Sequence, residues 1–301
     1  MKKKSKLALA PLALGSAATF IGGLFFYRNF IRRAQPSALR PELQAAADQL
    51  CSQYTEESWG FTSFDGLQLK AHFFSGQPES HRYALLVHGY HDTAYRMAAH
   101  ALHFLEKGYH VLMPDLRGHG LSEGSYVGFG YHDHYDILGY IDLIREHDPQ
   151  AQILLLGISM GAATVMLASG EFLPDNVKCI IEDCGYTSAW EQCRHNMRTL
   201  YHLPAFPVLT LTNLMVKCKH HYSFKEAAPI KAVAKATVPM LFIHGAKDDF
   251  VPFSMQQQLY DACSSTEKEL LVIEGAVHAN SNEVAPALYW HTVDMFIEKY
   301  L

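Results

Sequence analysis

The strongest constraint on this chain is a set of short runs that are apolar almost without interruption. They are Tyr83–Val87, His110–Pro114, Gln152–Leu156, Val177–Glu182, Met240–His244 and Leu270–Ile273. A strand with one wet face alternates apolar and polar residues, whereas a continuous apolar run predicts a strand covered on both faces. Between these runs lie stretches of helical pattern, including one that Gly108 stops after Lys107, one at Ile137–Arg145, and a small-residue run at Ser159–Ser169. Strands alternating with helices make βαβ units, so the expected class is α/β with a mostly parallel, doubly wound sheet. Phe61–Phe64 and Leu67–Phe74 flank Asp65-Gly66, a hairpin signal, and add an antiparallel N-terminal edge. From about Tyr186 to Lys235 no strand is evident. Trp190, the helical runs through Met197–Leu200 and up to Val216, and Pro204 and Pro207 between them read as a helical lid inserted above the strand ends.

The N-terminus poses a separate question. Lys2, Lys3, Lys4 and Lys6 precede an uncharged stretch, Leu7–Tyr27, followed by Arg28, Arg32 and Arg33. Crossing the hydrocarbon core takes about 20 apolar residues, and a cleaved signal peptide has a shorter core of about 7–15. The stretch runs past Ala17 and Ala18 to Phe26, which favours an uncleaved signal anchor over residues 1–33. Cleavage near Ala18 is one alternative. A hydrophobic helix packed on the protein's own fold is the other. The lysines, set against the arginines, tip the orientation towards the body of the chain lying outside the cell membrane. Residues 34–58 then read as a connector with a short helix, and 59–301 as the α/β domain.

With 49% hydrophobic residues the chain can bury a real core, and a net charge of −5 gives no basic surplus to draw nucleic acid. None of the six cysteines forms a C-x-x-C pair, which argues against a structural zinc site. His220-His221 and His132-x-His134 read as solvated loop residues, so no metal and no cofactor is expected.

Chemistry enters at Gly157-Ile158-Ser159-Met160-Gly161. The motif follows a buried strand and opens a helix, the context that turns G-x-S-x-G from a chance match into a nucleophile. The glycines leave room for a strained serine, and the helix N-terminus favours developing negative charge. A serine needs an adjacent base. It also needs backbone donors for the oxyanion. Met160 N–H, directly after the serine, is one candidate. Tyr90 N–H, in the His88-Gly89-Tyr90 loop after the Tyr83–Val87 strand, is the other. His88 itself reads as structural. Two adjacent carboxylates, Asp248 and Asp249, follow the Met240–His244 strand, and His278 follows the last strand.

Pro114-Asp115-Leu116-Arg117-Gly118-His119-Gly120-Leu121-Ser122 resembles the D-x-R-G-H-G-x-S loop of the α/β-hydrolase superfamily, a likeness extending over Trp59–Leu301. That resemblance implies the α/β-hydrolase fold and a triad in the chain order Ser159, Asp248, His278. It prefers Asp248, which sits at the G-x-x-D-x-x-V position, and leaves Asp249 to cap the helix after Pro252. It makes Asp115, Arg117 and His119 structural. Gly128-Phe129-Gly130, Gly157–Thr164 and Glu182–Ser188 resemble more narrowly a Gram-positive group of membrane-bound or cell-surface hydrolases, described as serine-aminopeptidase-like or cinnamoyl-esterase-like. The group's substrates are poorly defined.

The expected activity is cleavage of a small-molecule carboxylic ester through an acyl-enzyme. A peptidase of the same mechanism is the first alternative. The lid's glutamates, Glu191 and Glu226, are far apart in sequence, which disfavours the paired-glutamate amine anchor of an aminopeptidase. Haloalkane dehalogenases carry Asp where Ser159 stands. A non-catalytic, membrane-anchored binding protein would be expected to lack a triad member. The expected partners are an ester or amide substrate and, through the N-terminal helix, a lipid bilayer. The oligomeric state is open.

Overall fold

The computed structural model describes residues 19–33 and 38–301. Eight strands form one sheet in the order β1-β2-β4-β3-β5-β6-β7-β8. They are β1 Glu56–Thr62, β2 Gln68–Phe74, β3 Arg82–Val87, β4 His110–Asp115, β5 Gln152–Ile158, β6 Val177–Asp183, β7 Met240–Gly245 and β8 Lys268–Ile273. Only β2 runs against its neighbours, pairing antiparallel with both β1 and β4. The central strands β3, β5, β6 and β7 are buried nearly throughout, as their unbroken apolar runs require.

The hairpin turn falls at Asp65-Gly66 as expected, but β1 begins and ends earlier than Phe61–Phe64. It is an edge strand with one exposed face, so Trp59 and Phe61 alternate with polar or small residues instead of forming an apolar run. Ser63 closes the turn, its hydroxyl meeting Asp65 Oδ1 at 2.6 Å and accepting from Leu67 N–H at 2.9 Å.

Helices cover both faces. On one side lie α1 Pro41–Gln53, α2 Ala98–Glu106 and α10 Pro286–Ile297. On the other lie α3 Asp133–His147, α4 Met160–Ala168 and α8 Phe253–Ala262. The stretch expected to be a connector contains α1, whose Leu43, Ala47 and Leu50 are buried. A short α9, Ser281–Val284, precedes α10. Between β6 and β7 the chain forms α5 Ala189–Thr199, α6 Val208–His220 and α7 Pro229–Val233, with no strand, as the sequence suggested.

The N-terminal segment differs from its leading expectation. Among the described residues no helix is long and apolar enough to cross a membrane. Residues 19–26 are helical and continue into a π-helical turn at Tyr27–Ile31, and this segment lies along α6. Its glycines make the approach possible: a Cβ at Gly22 would sit 3.2 Å from Val208, and one at Gly23 3.0 Å from Leu211. Tyr27 and Ile31 are buried, and Tyr27 Oη lies 2.7 Å from His220 Nε2. Arg33 then clamps the loop after β4, donating to the carbonyls of Ser122 and Gly120 at 2.7 and 2.6 Å. So the described end of the apolar stretch packs on the protein's own fold. Apolar sequence is equally suited to lipid and to protein interior, and the described residues 19–33 have protein partners. The lysine cluster, the stretch 7–18 and residues 34–37 lie outside the described residues.

Candidate active site

Ser159 stands between the end of β5 and the start of α4 with φ 56° and ψ −113°, a strained conformation for a non-glycine residue. A Cβ at Gly157 would fall on the Gly161 carbonyl, and one at Gly161 on the carbonyl of Val87. The two glycines are therefore what the turn demands. Ser159 N–H donates to the Asp183 carbonyl at 2.8 Å, which ties the turn to the end of β6.

Three loops at the strand ends converge on this residue. His278 Nε2 lies 2.9 Å from Ser159 Oγ, and His278 Nδ1 lies 2.7 Å from Asp248 Oδ2. The Asp248 side chain is wholly buried, while that of His278 is partly open. Asp248 Oδ1 accepts from Phe250 N–H at 3.0 Å and Val251 N–H at 2.8 Å. With Nδ1–H donated to Asp248, Nε2 is left to accept the serine proton. Asp249 is exposed and takes no part; its backbone carbonyl meets His195 Nε2 at 2.8 Å. Nor does Asp249 cap α8, whose N-terminus has no side-chain cap. The aspartate that organises this turn is Asp248.

A second layer holds the acid. His244 Nε2 meets the Val251 carbonyl at 2.8 Å and lies 3.4 Å from Asp248 Oδ2. Burial lowers the pKa of His244. Gln256 bridges His244 to the fully buried Glu182, whose pKa is pushed up to about 8 by burial. Asp183, also buried, is pushed up to about 7 by desolvation.

Tyr90 and Met160 both face the cavity beside Ser159, and among the described residues neither backbone N–H makes a hydrogen bond. Tyr90 is further fixed by its hydroxyl, which donates to the Phe30 carbonyl at 3.0 Å. The other chemistry-bearing residues nearby are occupied elsewhere. His88 Nε2 accepts from Leu116 N–H at 3.1 Å, and Asp115 accepts from Ala94 and Leu121 N–H. The Arg117 guanidinium is held by Asp136 and Asp65, and His119 accepts from His91 N–H at 3.3 Å. These contacts build the loop.

Among the described residues one cluster brings three possible metal-ligand atoms within 4.8 Å of one another: Cys184, Asp248 and His278. It does not fit a metal. Asp248 and His278 are bonded to each other, and burial raises the Cys184 pKa far above the usual thiol range. Metals take the thiolate. All six cysteines are free thiols.

The cavity itself measures about 190 Å³. Ser159, Met160, Tyr90, Phe129, Tyr186 and Phe224 form its floor and sides, with Phe250 beside His278. The lid contributes Gln192, Cys193, Asn196 and Met197 from α5, and Leu209 and Thr212 from α6. The opposite face of α5, with Glu191, Arg194, His195 and Arg198, lines a wider open cleft of about 780 Å³ that does not reach Ser159. No motif in the sequence marks the remaining wall. Phe26, Phe30 and Ile31 of the N-terminal segment close the cavity, with Tyr201 edge-on to both phenylalanines.

The family model described as "Serine aminopeptidase, S33" matches residues 78–213 and 224–285. The chain belongs to this family. The S33 chain is 31% identical over 196 residues to the uncharacterized protein YqkD of Bacillus subtilis, covering 65% of this chain and 64% of that one. It is 23% identical over 278 residues to a monoacylglycerol lipase of Mycolicibacterium smegmatis, covering 82% of this chain and 99% of the lipase. In structure it resembles an esterase of Pyrococcus furiosus, with a TM-score of 0.69 at 20% identity over 89% of this chain and 96% of the esterase. The S33 chain therefore has the α/β-hydrolase fold and is a hydrolase of the esterase, lipase or peptidase kind.

Proposed function

We propose that this S33-family hydrolase is a serine esterase whose substrate carries an apolar group that fills the cavity at Ser159. The observation behind it is the unbroken chain from Asp248 through His278 to Ser159, ending at an apolar chamber that also presents two unpaired N–H groups. His278 Nε2 takes the proton from Ser159 as Oγ attacks the carbonyl carbon. Tyr90 and Met160 N–H receive the negative oxygen. His278 then protonates the leaving alcohol, and water repeats the cycle on the acyl-enzyme while Asp248 holds the imidazole in register. A chamber of about 190 Å³ is comparable with the ~150 Å³ cavity that accepts benzene, which points to a ring or a short chain rather than a long acyl tail.

A peptidase would use the same steps. Against an aminopeptidase, no carboxylate is found among the described residues lining the cavity, so nothing there balances a substrate ammonium. Glu191 is paired with Arg194, and Glu226 accepts from Ser223 N–H at 2.7 Å.

A fluorophosphonate probe tests the nucleophile. Wild type should be labelled and Ser159→Ala should not; equal labelling of the two, or none of wild type, overturns the enzyme reading. Faster turnover of aminoacyl amides than of p-nitrophenyl esters moves the protein to the peptidases. The lysine cluster supports a site outside the cell membrane, which protease digestion of intact cells tests: a protected enzyme refutes that location.

A further inference from the structure

The lid helix α5 borders two cavities, and only the inner one reaches Ser159. The outer cleft, of about 780 Å³, lies between α5, the loop at 202–205 and the start of α8. Among the described residues that line it, two arginines and two histidines stand against one carboxylate, Glu191. That carboxylate is already taken by Arg194. Arg198, one turn further along the same helix, is exposed and makes no ion pair or hydrogen bond among the described residues. Of the histidines, His195 Nε2 meets the Asp249 carbonyl at 2.8 Å, whereas His202 makes no hydrogen bond. Like charges at i and i+4 on a helix repel, so this face is costly while nothing negative bridges it. The excess is local, since the chain as a whole carries a net charge of −5. A positive cleft on an acidic protein is where an anion collects.

The other walls add what an organic anion needs. Thr187, only 4% exposed and so fixed by packing, and Ser254 of α8 both border the cleft, and neither hydroxyl makes a hydrogen bond among the described residues. Leu203, Pro204, Pro252 and Met255 supply apolar surface. A guanidinium presents a planar fork of donors that matches a carboxylate or a phosphate, and a hydroxyl can donate to an oxygen the fork leaves over. We propose that this cleft is a second binding site, apart from the chamber at Ser159, for a small organic anion. Its oxyanion head lies against Arg198 and Arg194, and its apolar body lies on Leu203 and Met255. The apolar wall is of no use to a bare inorganic ion, and the arginines are of no use to an uncharged molecule. Carboxylate and phosphate share the chemistry of the head.

Titration calorimetry on the full chain at low salt tests this with four probes: 3-phenylpropanoate, phenyl phosphate, the uncharged 3-phenylpropanol and inorganic phosphate. At least one of the two organic anions should bind with Kd on the order of 1 mM, as befits a ligand of about eleven heavy atoms, and at least tenfold more tightly than the alcohol. The tighter of the two names the head. Arg198→Gln should weaken that binding about fivefold or more and Arg198→Glu should abolish it, with thermal unfolding to show that both variants are folded. Their site is an exposed helix face, where substitutions rarely cost the fold. Four results overturn the proposal. The first is no binding of either organic anion, and the second is binding of the alcohol as tight as theirs. The third is an affinity that neither Arg198 variant changes, which puts the ligand elsewhere, the chamber included. The last is inorganic phosphate binding as tightly as phenyl phosphate, which makes the cleft a place for an adventitious ion only. The readout is heat of binding and not turnover, so it stands apart from the esterase reading: a chain that fluorophosphonate fails to label loses that reading and keeps this site.

Discussion

Replacing Asp248 by asparagine keeps the shape of the side chain and exchanges one oxygen for NH2. The surroundings dictate which one. Oδ1 accepts from two backbone N–H groups, Phe250 and Val251, so an asparagine must keep its oxygen there. The NH2 then faces His278 Nδ1, which in wild type lies 2.7 Å from a carboxylate oxygen. A donor at that place forces Nδ1 to accept and moves the ring proton to Nε2. Nε2 then holds a proton where it must receive one from Ser159, 2.9 Å away. Such a tautomer error costs about four orders of magnitude in kcat, ~5.4 kcal/mol of transition-state stabilisation. Asp249→Asn alters an exposed side chain and should change kcat by less than about twofold, within the usual range for surface substitutions. Initial rates on p-nitrophenyl butanoate for the two variants, with thermal unfolding to show both are folded, decide the matter. A folded Asp248→Asn enzyme with near wild-type kcat, or an Asp249→Asn enzyme that loses as much, refutes this assignment of the acid.

Two further outcomes follow from the cavity and from the layer behind the acid. Phe30→Ala removes a ring from the chamber, so the optimum acyl length should move to longer chains; at about 0.8 kcal/mol per buried methylene each extra carbon accommodated is worth roughly fourfold in kcat/KM. Superimposable chain-length profiles for variant and wild type contradict the N-terminal wall. Glu182, with a folded-state pKa pushed up to about 8 against 4.5 for the free group, keeps its proton where the unfolded chain has lost it. Wild-type stability therefore falls, relative to Glu182→Gln, as pH rises from about 4.5 to about 8, by at most ~1.4 kcal/mol per pH unit, and the difference levels off above that. Urea unfolding of both proteins across this range measures it, and parallel curves show that Glu182 ionises normally.

The parts of this molecule legible in its sequence are those whose environment is local or uniform. β3, β5, β6 and β7 read clearly because burial on both faces leaves no polar position to blur the run. Ser159 reads because its turn needs glycine at two fixed neighbours. β1 read poorly because an edge strand answers to water on one side. Asp248 and Asp249 could not be separated by composition, since only the path of the loop sends one inward. Gln192 and Asn196 carry no pattern at all: they look like polar residues of an amphipathic helix, and their meaning comes from what α5 is laid against. The N-terminal stretch was the hardest, because hydropathy records aversion to water and says nothing of what replaces it.

That stretch also sets an order of events. Tyr27 meets His220 across 193 residues of chain, and Phe30 receives the hydroxyl of Tyr90 from 60 residues on. During synthesis the segment emerges before its seat on α6 and on the loop after β4 has been made. Closing so long a loop costs little more than closing a short one, about 0.6 kcal/mol per doubling of length, so the final docking is not opposed by distance. Until α6 has left the ribosome, however, Phe26 and Phe30 have nowhere to go. Residues made well before their partners are among the last to find their place, and the chamber at Ser159 stays open along one side until they do.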